Sequence, residues 1–241
     1  MAAVSGRRRV FPMGLFSNAH CPRQPQGTRL KTSRNDAQPT VIIIDDDRDI
    51  REALEGLLRS VGLRVELFAS VQEFLDHPRP DGPGCLVLDV RLPGRSGLEF
   101  HDSLIEANVH LPVVFISGHA DVPMSVRAMK AGAVEFLTKP VRDQELLDAI
   151  HVAIKKDSAH RDNERAVAEI RSNFDTLTQR EREVLELVLA GRLNKQIAGD
   201  IGISLATVKA HRGHVMRKMK TQSLTELVRM VDRLKLTPSK A

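Results

Sequence analysis

The chain has 241 residues, 41% hydrophobic and 28% charged, a length for one or two domains that each bury a core of their own. No apolar run approaches the ~20 residues of a bilayer span, and two distant cysteines, Cys21 and Cys85, exclude a cysteine-built metal cluster or disulfide framework, so a reducing cytoplasm is expected. Trp and Tyr are absent and only 8 Phe are present, which argues against aromatic platforms for single-stranded nucleic acid but leaves duplex DNA open.

The formal charge of +5 is unevenly spread. Residues 1–39 carry 7 basic and 1 acidic side chains, residues 40–155 carry 12 and 19, residues 156–173 carry 4 of each, and residues 174–241 carry 13 and 7. A basic C-terminal unit suits a polyanion, whereas the acidic middle unit must do something else. The first 39 residues hold Arg7-Arg8-Arg9 and no helical or alternating apolar pattern, and are read as a disordered basic tail. A loose DNA contact, a transit-type leader and a start codon placed too far upstream remain open readings of it.

From residue 40 to 155 short apolar runs alternate with helix-length amphipathic stretches. Val41–Ile44, Val65–Phe68, Cys85–Leu88, Val113–Ile116 and Val134–Leu137 read as five buried strands of a βαβ series, hence a doubly wound parallel sheet covered by helices. Such sheets bind ligands at the carboxyl ends of their strands. There the first strand runs into Asp45-Asp46-Asp47 and the third into Asp89; the fourth is followed by Ser117, the fifth by Lys139-Pro140. Converging carboxylates repel one another unless a cation neutralises them, and an all-oxygen donor set suits Mg²⁺. Carboxylates, a hydroxyl and an ammonium at one rim are equipment for handling a phosphoryl group. Each Asp taken singly also fits a solvated turn.

Residues 156–173 alternate charges around Ala166, Val167 and Ile170 and are read as a connecting helical linker with a solvated charged face. After it, Thr178 and Glu181 have capping-box spacing ahead of Val184, Leu185, Val188 and Leu189. A short helix over Asn194–Ile201 stops at Gly202, and a third starts at the N-cap Ser204 and runs to about Met219, together a helix-turn-helix in an all-α domain. Lys209, His211, Arg212, His214, Arg217, Lys218 and Lys220 crowd the remaining faces of the third helix. Such a helix fits the major groove, and by composition alone it also fits a plain basic surface. His211 and His214 lie one turn apart, but the sequence offers no third metal ligand beside them.

The runs Val41–Asp47, Leu86–Gly94, Phe115–His119 and Phe136–Pro140 resemble a response-regulator receiver domain of flavodoxin/CheY-like fold. The resemblance implies Asp89 as phosphoacceptor, Asp45 and Asp46 as the acidic pocket, and Asp45, Asp46, Asp89 and the backbone carbonyl of Arg91 as ligands of Mg²⁺. It implies Ser117 and Phe136 as switch residues, Lys139 as the phosphate-binding lysine and a cis Lys139–Pro140 bond. Phe136 stands where Tyr is frequent, so its ring can signal only by rotamer. Leu177–Leu185, Asn194–Ala198 and Thr207–Arg212 resemble the LuxR/FixJ-type DNA-binding domain over residues 174–235. Lys209 is then a base-reading residue, Ala210 and Gly213 lie near the groove floor, and Lys195, Thr207, His211 and Arg212 contact the backbone. A last helix, about Gln222–Leu234 with Leu224, Leu227, Val228 and Val231, either forms a dimer seam or closes the core.

Both resemblances together imply a two-component transcription factor phosphorylated by a sensor histidine kinase, homodimerising on duplex promoter DNA, with RNA polymerase a further possible partner and no membrane contact. The residues Pro123–Phe136 are the expected phosphorylation-dependent dimer surface. The alternative is a phosphorylation-controlled protein-protein signalling module with an idle DNA-binding unit. An enzyme acting on external phosphoesters is not expected, because no general base stands beside the Asp cluster; self-phosphorylation and autodephosphorylation are the only chemistry foreseen.

Overall fold

The computed structural model describes residues 38–234 apart from Arg79 and Ala120. The basic tail expected over residues 1–39 therefore falls, but for its last two residues, outside the described residues.

Five strands, β1 (Thr40–Ile44), β2 (Arg64–Phe68), β3 (Gly84–Asp89), β4 (Val113–Ser117) and β5 (Glu135–Thr138), pair in parallel in the order β2-β1-β3-β4-β5. The helices α1 (Arg48–Ser60), α2 (Val71–Leu75), α3 (Gly97–Glu106) and α4 (Val122–Lys130) connect successive strands. Alternation of side chains along a strand sends alternate residues to opposite cores. Ile42, Ile44, Leu86, Leu88 and Phe115 pack with Phe74, Phe100 and Leu104 of α2 and α3. Val41, Ile43, Cys85, Val87 and Ile116 pack with Leu54 and Leu58 of α1 and with Leu146 and Ile150 further along the chain. With both faces buried, the strands read as continuous apolar runs.

The strand order reverses between β1 and β3, so the carboxyl ends of these two neighbours form the switch-point crevice. Gly97 opens α3 directly beneath it. A Cβ there would lie 2.2 Å from the Asp89 carbonyl oxygen, so backbone must move to admit any side chain. Gly97→Ala is expected to lower the stability of the sheet domain by about 2–3 kcal/mol in denaturant titrations.

Helix α5 (Asp143–Asp175) runs 33 residues without a break. Its first half buries Leu146, Ala149, Ile150 and Ala153 against the sheet, and Ile170 near its end joins the core of the helical domain with Leu177 and Leu185. The linker expected over residues 156–173 is thus the second half of this helix. Its charged face is also not wholly solvated: Asp157 is 1% exposed, and its Oδ2 accepts from the Gly84 N–H at 2.9 Å and from Arg161 Nε at 2.6 Å. The reason is periodic, since position 157 continues the 146–150–153 stripe at helical spacing.

The C-terminal domain comprises α6 (Gln179–Leu189), α7 (Asn194–Asp200), α8 (Leu205–Lys218) and α9 (Leu224–Arg233). Thr178 and Glu181 form the expected capping box, and Ser204 caps α8. Val184, Val188, Ile197 and Val208 join α6, α7 and α8 in one cluster. On α9, Leu227 and Val231 are buried in the domain core, which leaves Leu224, 43% exposed, outside it. Leu227 and Val231 of that stripe therefore close the core.

Candidate functional site

At the carboxyl rim of the sheet, Asp45 is fully buried, Asp89 is nearly so, and Asp46 is exposed. Lys139, just past β5, reaches back across the sheet: its Nζ donates to Asp45 Oδ2 at 2.7 Å and to Asp89 Oδ2 at 2.8 Å. The Lys139–Pro140 peptide is cis, as the resemblance to receiver domains implies. The remaining carboxylate oxygens are tied to backbone: Asp45 Oδ1 accepts from the Asp47 N–H at 2.9 Å and Asp89 Oδ1 from the Arg91 N–H at 3.1 Å. Asp47, third in the acidic run, is the N-cap of α1, accepting from Asp49 and Ile50 N–H groups. The run thus divides by role, two carboxylates at the rim and one at a helix end.

Burial drives the Asp45 carboxyl above its ordinary pKa, against the opposing pull of Lys139 and the Asp47 N–H. Burial by itself would lower Lys139, but its hydrogen bonds to Asp45 and Asp89 outweigh that and hold its pKa above the usual lysine value. Oxygens of Asp45, Asp46 and Asp89 all lie within 4.8 Å of one another. This is a hard, all-carboxylate donor set with an acid held up by burial, and it fits a divalent cation of the Mg²⁺ class. Ser117 is fully buried at the end of β4, its Oγ accepting from the His119 N–H at 3.3 Å. Phe136 is half-buried, its ring 6.2 Å from that of Phe115. The structure therefore brings Asp45, Asp46, Asp89, Ser117 and Lys139 to one edge of the sheet, with Phe136 on the neighbouring strand.

In the helical domain, Lys195, Thr207, Lys209, Ala210 and Gly213 are exposed, while His211 and Arg212 are half-buried. Lys195 and Lys209 make no ion pair among the described residues. Nothing lies within 4 Å of a Cβ built on Gly213, so the fold does not require glycine there. Arg212 donates from NH1 to Asn194 Oδ1 at 2.6 Å, tying α8 to the first turn of α7. Not all the basic groups on α8 face outward. Lys218 turns inward to Glu181 Oε2 at 2.6 Å and to the Thr176 carbonyl at 3.0 Å, because the 3%-exposed Glu181 needs a counter-charge. Asn194, Glu181 and Asp157 were not singled out as partners from sequence, since each bonds across elements whose packing no local pattern reveals.

Burial would raise the Glu181 carboxyl, but Lys218 and the N–H and hydroxyl of Thr178 dominate and bring its pKa down to about 2 from 4.5. A carboxylate whose folded pKa is depressed adds stability above its unfolded pKa and loses it as pH falls. The helical domain is expected to lose stability as pH falls from about 4.5 toward about 2. The loss should be shallower in Glu181→Gln, read from the thermal midpoint of Val184 and Leu185 amide signals.

A cleft of about 430 Å³ between α3, the approach to β4 and α5 lies at the amino ends of the strands, far from these carboxylates. Among the described residues no helix is long and apolar enough to cross a membrane.

The model of the response regulator receiver domain matches residues 41–151, and that of bacterial regulatory proteins, luxR family, matches residues 175–231. The chain is 51% identical over 194 residues to Nodulation protein W of Bradyrhizobium diazoefficiens, covering 80% of this chain and 86% of that protein. It is 49% identical over 201 residues to Response regulator protein TodT of Pseudomonas putida, covering 83% and 88%. The solved structure of the response regulator StyR shares 47% identity, with a TM-score of 0.74 over 82% of this chain and 100% of that one.

Proposed function

Because the chain belongs to the response regulators that join a receiver domain to a luxR-family DNA-binding domain, we propose that Asp89 is its phosphoacceptor and that the acyl phosphate formed there controls its grip on promoter DNA. The observation that carries this reading is the placement of Lys139 Nζ between Asp45 and Asp89, at 2.7 and 2.8 Å, in the switch-point crevice.

A sensor histidine kinase is the donor. Asp89 attacks phosphorus, a P–O bond forms, and the P–N bond to the kinase's imidazole breaks. Lys139 sits where a phosphoryl oxygen would gather charge, so positioning and electrostatics supply most of the rate. Mg²⁺, held by Asp45, Asp46, Asp89 and the Arg91 carbonyl, would neutralise charge on the phosphoryl oxygens and relieve repulsion among the carboxylates. The new dianion draws the Ser117 hydroxyl toward it, and the vacated space admits the Phe136 ring. That movement reshapes the surface of α4, where Val126 and Met129 are exposed. This face, Pro123–Phe136, is the homodimer surface of the phosphorylated protein.

Dimerisation places two copies of α8 on one palindromic site, and effective concentration converts weak half-site binding into tight binding. Lys209 reads a base edge with Ala210 and Gly213 at the groove floor, and Lys195, Thr207, His211 and Arg212 hold phosphates. The bound dimer is then positioned to meet RNA polymerase, and the whole sequence runs in the cytoplasm. The chain transfers a phosphoryl group only to and from itself.

The test is a titration of promoter duplex with wild type and Asp89→Asn, with and without a small-molecule acyl phosphate and Mg²⁺. Wild type should bind about tenfold tighter or more with the phosphodonor, and Asp89→Asn should not respond. Equal affinity in all four titrations would overturn the reading.

A further inference from the structure

Beyond the carboxylate rim, α6 and α8 bring together a second cluster of groups able to ligate a metal. Glu181, in the first turn of α6, has one oxygen committed: Oε2 accepts from the Thr178 N–H at 2.8 Å and from Lys218 Nζ at 2.6 Å. Its other oxygen, Oε1, lies 3.6 Å from His214 Nδ1, outside hydrogen-bond range. One turn earlier on α8, the Nδ1 of His211 is buried and has no hydrogen-bond partner among the described residues. Donor atoms of Glu181, His211 and His214 all lie within 4.8 Å of one another. The sequence shows the two imidazoles but not the carboxylate, which comes from a helix thirty positions upstream.

We propose that Glu181, His211 and His214 form a three-ligand site for a borderline divalent cation of the Zn²⁺ class, clamping α8 to α6. Two imidazoles and one carboxylate are a recurrent zinc donor set, leaving a further position for water. The i, i+3 spacing puts both rings on one face of α8. The Thr178 N–H and Lys218 act as outer partners that orient the carboxylate, as the hydrogen-bonded supports of metal ligands do. Lys218 also cancels the charge of Glu181, so attraction for the cation comes from imidazole coordination and not from net charge. That selects Zn²⁺ or Co²⁺ over Mg²⁺. The carboxylate rim at Asp45, Asp46 and Asp89 has the opposite preference, so one chain holds a hard site and a borderline site.

The opposed preferences make the test specific. Untagged full-length protein is titrated calorimetrically with Zn²⁺ in excess Mg²⁺, which fills the carboxylate rim, and in parallel with Co²⁺ followed by its visible absorption. One cation per chain should bind in addition to the rim site and raise the thermal midpoint of the helical domain. His214 is half-exposed, so His214→Ala retains the fold, and its Zn²⁺ affinity should fall more than about tenfold. His211→Ala should behave alike, whereas Asp46→Asn should leave both the affinity and the Co²⁺ spectrum unchanged. Absence of saturable Zn²⁺ binding, or binding that survives both histidine substitutions, overturns the proposal.

Discussion

Lys139→Ala is expected to slow phosphoryl transfer to Asp89 about a hundredfold or more while making the acidic rim bind Mg²⁺ more tightly. The two effects have one cause. In the wild-type chain Nζ bridges the fully buried Asp45 and the nearly buried Asp89, so it holds a charge that a second cation must compete with. Removing it takes away the cation that competes with the metal for the two carboxylates, raising Mg²⁺ affinity by roughly tenfold at pH values where both are ionised. The transfer reaction loses the fixed positive charge placed beside the attacked group. A preorganised donor of this kind contributes on the order of 10²–10³ in rate. The chain has no Trp or Tyr, so metal binding is read by calorimetry and transfer by incorporation of labelled phosphate. A merely structural lysine predicts that both quantities fall together; opposite movement identifies an electrostatic one.

The parts of the fold that were legible in sequence are those where local chemistry and global packing agree. Strands buried on both faces have to be apolar throughout, so Val41–Ile44 and Cys85–Leu88 mark themselves, and the residue that follows each run falls at the carboxyl rim. Asp45, Asp89 and Ser117 follow from that single rule, and Lys139 stands one residue further on, after Thr138. The capping box at Thr178 and Glu181 was equally local. What stayed hidden depends on contacts between elements distant in sequence. Asp157 looked like one charge among eight in a solvated stretch, yet it bonds the Gly84 N–H from 73 positions away. Glu181 was legible as a cap and illegible as the partner of Lys218 and neighbour of His214, because those meet it only when α6 packs on α8. The α9 stripe had two readings with the same periodicity, and the core role of Leu227 and Val231 emerges only where α9 packs in the helical domain.

Lys209→Ala should weaken binding to the specific promoter site by about 1–3 kcal/mol, roughly five- to 150-fold, and relax discrimination at one base position. Lys195→Ala should weaken binding to all sequences alike and reduce the salt slope by about one. Both side chains are exposed and free of ion pairs among the described residues, so neither substitution disturbs the helices. Arg212 differs, because its guanidinium is already engaged with Asn194 at 2.6 Å. If Arg212 acts by fixing α8 against α7, then Asn194→Ala should lose nearly as much DNA affinity as Arg212→Ala. The double substitution should then cost little more than either single one. If Arg212 instead leaves Asn194 to grip a phosphate, Arg212→Ala alone should flatten the salt dependence, and the two losses should add. Fluorescence anisotropy of labelled duplexes across a range of salt concentrations separates these outcomes, and it assigns to Arg212 either the posture of the recognition helix or a direct hold on the duplex.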